Sequence, residues 1–199
     1  MGEHYFTKKP KSRPRFGIVR TRLRGLDFEF LTASGVFSYK KIDSGTRLLI
    51  ESAVLPEKGV ALDLGCGYGP IGIAAAKTRP GLHVYMTDTN ARAIKLALEN
   101  VRRNDVTNIT VIEGDLYDPV LGFVFDAIVT NPPITAGIKK VVAPLIYGAA
   151  KHLREGGSLQ LVVRTNKGCQ NLIELLEEVF ECWEVVDRKG GYRVLKASR

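Results

Sequence analysis

The feature that most constrains the fold of this chain is a regular alternation of short apolar runs and amphipathic segments between residues 60 and 180. The apolar runs have the length and composition of buried strands, and the segments between them have helical periodicity. Such alternation predicts a parallel sheet covered by helices on both faces, a doubly wound α/β arrangement. The predicted strands are 60–64, 82–87, 109–113, 125–130 and 159–164, and the predicted helices are 70–78, 90–103, 138–153 and 169–180.

Both ends of the chain carry hairpin patterns. Residues 18–23 and 26–31 alternate around Arg24-Gly25, and residues 183–187 and 192–196 flank Gly190-Gly191. Such turn residues between alternating runs predict antiparallel pairs. A further helix is predicted to begin near Asp43 and to stop at Pro56. We therefore predict a basic arm and hairpin extension over 1–30, followed by one main domain over 31–199 that ends in an antiparallel hairpin.

Composition limits the possible classes of protein. With 199 residues, 45% hydrophobic and 25% charged, the chain can bury one core. No apolar run approaches the ~20 residues of a membrane helix, and the first residues lack a secretion signal, so a cytoplasmic protein is expected. Cys66, Cys169 and Cys182 are far apart and have no histidines at metal spacing, so we expect reduced, structural cysteines and no metal.

Positive charge is concentrated at the N-terminus. Residues 1–24 hold eight basic residues against Glu3, which accounts for seven of the eight net positive charges. A basic arm beside a nearly neutral body suits phosphate contact, and Tyr5 and Phe16 offer faces for base stacking. The alternative is a solvated tail. The candidate RNA contacts in this arm are Lys8, Lys9, Lys11, Arg13 and Arg15.

Polar residues follow three of the predicted strands, at the edge where open parallel sheets bind ligands. The first strand leads into Asp63 and the loop Gly65-Cys66-Gly67-Tyr68-Gly69, whose glycines let the backbone approach a ligand. The second ends at Asp88, 19 residues after Gly69, where a carboxylate can accept hydrogen bonds from ribose hydroxyls. The third ends at Asp115, which could accept from an adenine amine. These positions predict an adenosine-containing ligand.

Two classes of cofactor fit this pattern. The run Gly67-Tyr68-Gly69-Pro70-Ile71-Gly72 satisfies the dinucleotide fingerprint, so a nicotinamide dehydrogenase is one alternative. Asp63 argues against it, because a carboxylate before the loop would repel a pyrophosphate but could hold a cationic amino group. S-adenosylmethionine has that amino group and no phosphate. Helix capping is the structural alternative for Asp63, Asp88 and Asp115.

The fourth strand is followed by Asn131-Pro132-Pro133-Ile134. Neither proline has an N–H and both restrict the backbone, so the carbonyls of Asn131 and Pro132 are not expected to join a helix or a ladder. We expect them to remain free to accept hydrogen bonds from a ligand's NH2 group. A simple strand stop is the alternative interpretation.

Together these motifs resemble the class I S-adenosylmethionine-dependent methyltransferases. The resemblance extends over about residues 28–196. It is closest to the catalytic domain of the small-subunit ribosomal RNA guanine-N2 methyltransferases, particularly the compact archaeal relatives. The segments that carry this closer resemblance are 35–38, 43–46, 131–137 and 190–194.

The resemblance implies a Rossmann-like, seven-stranded, mostly parallel sheet and transfer of a methyl group to an exocyclic amine of an RNA base. Ribosomal RNA is the favoured substrate and transfer RNA is possible. The implied catalytic residues are Asn131, Pro132, Pro133 and Ile134. The implied cofactor-binding residues are Asp63, Gly65, Cys66, Gly67, Gly69, Asp88, Thr89, Asp115, Leu116 and Asn131.

One position departs from the family pattern. Many amino-methylating relatives have an aromatic residue, which stacks on the target base, where this chain has Ile134. Phe37 or Tyr39 could supply that face, and a core position is the alternative for both. Two other functions stay open: methylation of a protein glutamine amide, whose conjugated NH2 group fits the same acceptors, and RNA binding without turnover.

Overall fold

The computed structural model describes residues 13–199, apart from the side chain of Thr135. Lys8, Lys9 and Lys11 of the predicted RNA contacts therefore lie outside the described residues. The strands are β1 (Phe16–Leu23), β2 (Leu26–Ala33), β3 (Lys58–Leu64), β4 (Gly81–Asp88), β5 (Ile109–Glu113), β6 (Phe125–Thr130), β7 (Leu153–Arg164), β8 (Cys182–Lys189) and β9 (Tyr192–Ser198). The helices are α1 (Ser44–Ser52), α2 (Pro70–Thr78), α3 (Ala91–Arg103), α4 (Ala143–His152) and α5 (Cys169–Val179).

Seven strands form one sheet in the order β5-β4-β3-β6-β7-β9-β8. Strands β3 to β7 pair in parallel, and β9 pairs antiparallel with both β7 and β8. Buried side chains of α1, α2 and α3 belong to one apolar cluster, and those of α4 and α5 belong to another. The predicted α/β fold, with its mostly parallel seven-stranded sheet and its C-terminal hairpin, is confirmed.

The helix predicted over 138–153 is shorter than expected. Ile138–Val142 forms a π-helical turn, α4 follows it, and Leu153 already pairs with Phe125 as the first residue of β7. Strand β7 is interrupted opposite β6 and resumes its pairing at Ser158. The Gly156-Gly157 pair within this interruption resembles a loop in sequence, which explains why the strand was predicted to begin only at residue 159.

Strands β1 and β2 form the predicted N-terminal hairpin as a separate two-stranded sheet. Arg24 and Gly25 both have positive φ, 47° and 80°, as a two-residue hairpin turn of the twisted type requires. On the inner face, Leu23, Phe28 and Phe30 are buried in the same cluster as α1 to α3. The predicted domain boundary at residue 30 falls within β2. The hairpin and the main domain share one hydrophobic core.

Two buried asparagines join the hairpin to the body: Asn100 in the last turn of α3 and Asn104, the residue that caps this helix. The Asn100 amide accepts from Leu31 N at 2.6 Å and donates to Leu31 O at 2.9 Å. One turn later, the Asn104 amide accepts from Glu29 N at 3.2 Å and donates to Glu29 O at 2.9 Å. Each amide thus satisfies one backbone residue of β2 as a neighbouring strand would, because positions i and i+4 of the helix face positions i and i+2 of the strand.

We expect Asn100→Ala to lower the free energy of unfolding by roughly 2–4 kcal/mol, because it leaves both backbone groups of Leu31 and the carbonyl of Tyr68 without a partner. Urea titration followed by circular dichroism would measure the change. Lys95→Ala, on the exposed face of the same helix, should stay within about 0.5 kcal/mol of wild type. Equal stabilities of the two variants would contradict this role for Asn100.

Candidate active site

The carboxyl ends of β3, β4, β5 and β6 surround a cavity of about 310 Å³. It lies at the point where the strand order reverses, because the chain moves outward from β3 to β5 and then returns to place β6 on the other side of β3. Predicted site residues that line it are Phe37, Gly65, Cys66, Gly67, Asp88, Thr89, Asp115, Leu116, Asn131, Pro132 and Pro133. Four separate strand ends therefore bring most of the predicted site together.

The loop after β3 is held open by its glycines. Gly65, Gly67 and Gly69 have φ values of 73°, 59° and 96°, which favour glycine. Gly65 N and Cys66 N both donate to Thr87 O at 2.9 Å, which fixes the loop against the end of β4. A Cβ atom at Gly65 would meet nothing within 4 Å among the described residues, so this backbone is open to a ligand. Gly69 lies below the loop as the residue before α2.

Asp88 is held by backbone donors on both of its oxygens. Oδ2 accepts from Gly67 N at 2.8 Å, and Oδ1 accepts from Asn90 N at 2.8 Å. Burial raises the pKa of this carboxyl above its ordinary value, although the backbone hydrogen bonds oppose the shift. A carboxylate has about four lone-pair sites, so these backbone donors leave room for the predicted contact with ribose hydroxyls. Asp88 also fixes the glycine loop, a role that the spacing did not reveal.

Asp63 lies beneath the loop and is only 2% exposed. Its Oδ2 accepts from Gly72 N at 2.7 Å, whereas its Oδ1 accepts no hydrogen bond from any described residue. Burial, with a smaller contribution from the charge of Asp88, raises the pKa of Asp63 to about 7. A buried acceptor without a donor is costly, and a cationic amino group, directly or through water, would satisfy it. This feature fits S-adenosylmethionine better than a pyrophosphate.

The side chain of Asn131 has a defined orientation. Its Nδ2 donates to Thr46 Oγ1 at 2.8 Å and lies 3.5 Å from Asp43 Oδ2. Because an ionised carboxylate can only accept, the NH2 end of the amide must face Asp43 and the Oδ1 end must face away from it. Asn131 therefore presents an acceptor on the side away from α1.

The Pro132 carbonyl differs from the prediction. It accepts from Ile134 N at 2.9 Å, closing a tight turn around Pro133, whose φ and ψ are −76° and 73°. The expectation that this carbonyl would have no internal partner was therefore wrong. Pro133 has no N–H to donate to the Pro132 carbonyl, but Ile134, two positions after Pro132, has one. One lone pair of the Pro132 oxygen remains for a ligand.

Ile134 does not line the cavity as the structure describes it. It belongs to a short 3-10 turn, and its Cγ2 lies 3.0 Å from the position that a Cβ atom would take at Gly168. Its partly buried side chain packs with the α4 and α5 cluster. The catalytic role proposed for Ile134 therefore has no geometric support, and we interpret the residue as packing beneath the turn.

Phe37 lies at the cavity with 37% of its surface exposed, as a stacking residue requires. Tyr39, the other candidate, is outside the described lining, and Lys40 Nζ lies 5.9 Å from its ring centroid. Of the predicted RNA contacts in the described chain, Arg13 and Arg15 are exposed. Burial raises the pKa of the Cys66 thiol, which keeps it neutral in the cavity wall.

Asp43 and Thr46 are polar cavity residues to which sequence reasoning assigned no role at the site. Segment 43–46 carried part of the family resemblance, and Asp43 was otherwise predicted as the start of a helix. Its side chain does cap α1 by accepting from Gly45 N and Thr46 N. An Asp and a Thr three residues apart at a helix start are so common as a cap that their position beside Asn131 could not be predicted without the fold. The apolar wall adds Val36, Tyr68, Ile71, Val141 and Leu145.

Two absences hold for the described part of the chain. Between residues 13 and 199, no group of three or more His, Cys, Asp or Glu side chains is placed to hold a metal ion. No helix in the same range is long and apolar enough to cross a membrane.

The buried carboxyl of Asp63 predicts a pH dependence of stability. Its folded-state pKa of about 7 exceeds the ordinary value of 3.8, so the folded protein binds this proton more tightly than the unfolded chain. The free energy of unfolding should fall as pH rises from about 4 to about 7, by on the order of 4 kcal/mol from this group. Urea titrations across this range should show that Asp63→Asn loses this slope, whereas Asp105→Asn, at an exposed carboxyl, keeps it. Parallel profiles for wild type and Asp63→Asn would contradict the assignment.

Comparison with known proteins agrees with this geometry. The family model of the methyltransferase small domain matches residues 27–196. A Bacillus subtilis protein described as uncharacterized protein YbxB is 43% identical over 201 residues, which cover all of both chains. Ribosomal RNA small subunit methyltransferase C of Haemophilus influenzae is 35% identical over 163 residues, which cover 80% of this chain and 48% of that protein. The chain thus spans about half the length of that relative.

Among solved structures, the T. thermophilus 16S rRNA N2 methyltransferase (RsmC), in complex with AdoMet and guanosine, superposes with a TM-score of 0.82. The two sequences are 27% identical, and the match covers 96% of this chain and 52% of that one. The predicted resemblance to class I methyltransferases of the guanine-N2 type is thereby confirmed. The chain therefore belongs to the methyltransferase small domain family, and its cofactor is S-adenosylmethionine.

Proposed function

We propose that this enzyme methylates an exocyclic amine of an RNA base, with guanine N2 in ribosomal RNA as the favoured target. The observation that carries the proposal is the orientation of Asn131, whose NH2 group is held by Thr46 and Asp43. The acceptor end of the amide and the second lone pair of the Pro132 carbonyl then remain beside the cavity that the glycine loop lines.

The residues that would hold the cofactor follow from the site. The open backbone of Gly65 and Gly67 would lie against it. Asp63 would balance the positive charge of its amino group, and Asp88 would accept hydrogen bonds from its ribose hydroxyls. Asp115 and Leu116 would line its adenine end. When bound, S-adenosylmethionine supplies a methyl group that leaves sulfur and bonds to the acceptor nitrogen, which releases one proton to solvent.

The acceptor amine has an electronic problem that the protein can address. The lone pair of an exocyclic guanine nitrogen is delocalised into the ring, so the planar amine is a poor nucleophile. Asn131 Oδ1 and the Pro132 carbonyl can each accept a hydrogen bond from one N–H of this amine. Together they orient its lone pair toward the cofactor. A base inside a duplex must first be extruded at a cost of a few kcal/mol, and Phe37 offers an exposed ring for stacking it.

The nucleic-acid substrate is supported by two independent facts. The relatives named as ribosomal RNA methyltransferases share the domain, and the basic N-terminal arm suits phosphate contact. A ribosomal RNA substrate would place the enzyme in the cytoplasm. Transfer RNA carries the same exocyclic base amines and is the alternative RNA substrate. A protein glutamine amide is the second candidate, because the two acceptors would orient any conjugated NH2 group.

We expect Asn131→Ala to lower kcat for methyl transfer by two or more orders of magnitude, because it removes one of the two acceptors for the amine. Its dissociation constant for S-adenosylmethionine should remain within about twofold of wild type. Asp88→Ala should instead weaken cofactor binding, since it removes the ribose acceptor and the anchor of Gly67. Calorimetry and single-turnover assays would separate these effects, and Asn171→Ala, an exposed asparagine on α5, is the matched control. Equal loss of cofactor binding in the two site variants would refute this division of roles.

The basic arm predicts a salt-dependent contribution to RNA binding. Residues 1–24 cannot simply be deleted, because Leu23 is a core residue and Arg24 donates to Ile50 O at 2.6 Å behind the end of α1. Replacing Lys8, Lys9, Lys11, Arg13 and Arg15 with alanine should lower RNA affinity several-fold. The slope of log affinity against log salt should fall by roughly 0.7 for each lost phosphate contact.

Filter-binding titrations with total ribosomal RNA at several salt concentrations would measure both quantities. Replacing five exposed lysines outside the arm with alanine is the control for total charge; they are Lys58, Lys95, Lys151, Lys167 and Lys189. If the arm variant bound RNA as wild type does while labelled cofactor modified a glutamine-containing protein, the glutamine amide would replace RNA as the substrate.

A further inference from the structure

Tyr192, from the last hairpin of the chain, reaches the start of α1. Its hydroxyl donates to Asp43 Oδ1 at 3.3 Å and accepts from Arg164 Nε at 3.0 Å. The Arg164 guanidinium also lies over the tyrosine ring, 5.1 Å from its centroid. Arg164 ends β7 and Tyr192 begins β9, so the antiparallel pairing of these two residues fixes the contact. The hydroxyl is thus held between a cation and a carboxylate, which makes it a directed donor toward Asp43.

The fit between Tyr192 and α1 depends on a glycine. A Cβ atom at Gly45 would lie 2.8 Å from two carbons of the tyrosine ring, closer than side-chain atoms approach one another. The side chain of Asp43 accepts from Gly45 N at 2.9 Å and from Thr46 N at 3.1 Å through Oδ2, while its Oδ1 faces Tyr192. Asp43 therefore has donors on both oxygens, and its carboxylate is fixed in position.

Asn131 lies at the end of this chain of contacts. Its Nδ2 is 3.5 Å from Asp43 Oδ2 and 2.8 Å from Thr46 Oγ1. If the amide rotated by half a turn, its oxygen would face the carboxylate oxygen, and its NH2 group would face the substrate amine. The first contact is repulsive, and the second would place a donor where an acceptor is needed. The carboxylate of Asp43 thus selects one of two orientations that would otherwise fill the same space.

We propose that Asp43, Thr46 and Tyr192 are positioning residues that fix the acceptor end of Asn131 toward the amine, an inference that rests on the function proposed above. Tyr192, held by Arg164, orients Asp43, and Asp43 with Thr46 orients the amide. None of the three needs to touch the cofactor for this role. Their effect is on the chemical step. A protein with the Asn131 amide rotated would bind the cofactor equally well but would not align the substrate amine.

Asp43→Asn is the most informative variant. Asparagine is as good a helix cap as aspartate, so α1 should remain folded. The carboxamide can present either oxygen or NH2 to Asn131, so the rotated orientation is no longer penalised. We expect kcat to fall tenfold or more, with the dissociation constant for S-adenosylmethionine and the melting temperature close to wild type. Ser44→Ala, at the neighbouring exposed residue, should change none of these values.

Two further variants test the same chain of contacts. Tyr192→Phe removes only the hydroxyl and should lower kcat several-fold. Thr46→Val removes the acceptor for Nδ2 and should lower kcat, and Thr46→Ser should restore it. In an Asn131→Ala background, Asp43→Asn should cause no additional loss, because the residue that it orients is already absent. An additional loss of tenfold would show direct action of Asp43 on substrate and would overturn the proposal.

A measurement without turnover separates this inference from the proposed function. The side-chain NH2 signals of Asn131, identified by their absence in Asn131→Ala, should shift in Asp43→Asn and in Tyr192→Phe and should remain unchanged in Ser44→Ala. Unchanged signals and unchanged kcat in Asp43→Asn would overturn the positioning role while the enzyme remained an N-methyltransferase. If wild type methylated neither RNA nor a glutamine amide, the proposed function would fail, and the shifts of these signals would still decide the orientation of the amide.

Discussion

The parallel pairing of β3 with both β4 and β6 is the constraint on which the rest of the structure depends. Because β3 lies between these two strands, its carboxyl end opens into a crevice that neither neighbouring connection closes. The glycine loop, Asp88 and Asn131 are far apart in sequence, yet each lies at the carboxyl end of one of the three strands. Thr130 Oγ1 donates to Leu64 O at 2.7 Å, which ties the ends of β6 and β3 together just before the loops diverge. The site is therefore a direct consequence of strand order.

Two carboxylates, Asp88 at the cavity and Asp63 beneath the glycine loop, are kept away from solvent at an electrostatic cost. Asp63 is buried and Asp88 is partly buried; burial raises the pKa of both carboxyls, and the charge of Asp88 adds to the shift at Asp63. Backbone N–H groups stabilise three of their four oxygens. The fourth, Asp63 Oδ1, has no donor among residues 13–199. In the function proposed above, the cationic amino group of the cofactor would offset that cost, whereas an anionic dinucleotide would not.

Much of the fold could be predicted from sequence because strands and helices of this kind are local patterns with strong periodicity. The strand-end carboxylates followed from the same reasoning. The state of the Pro132 carbonyl could not be predicted, because it depends on backbone angles at Pro133 rather than on residue types. The packing of Ile134 against Gly168 joins segments that only the tertiary structure brings together. The contact of Asp43 with Tyr192 spans 149 residues, and no local pattern indicates it.

The hydrogen bonds of Asn100 and Asn104 with β2 also limit how far the hairpin can move. Its inner face is sealed into the core, so the hairpin cannot swing as a lid over the cavity. Its outer face, with Phe16 65% and Ile18 51% exposed, is a preformed platform. Contact of another molecule with this face would therefore order few further residues of the protein. Two side-chain amides thus make the hairpin a fixed part of the protein surface.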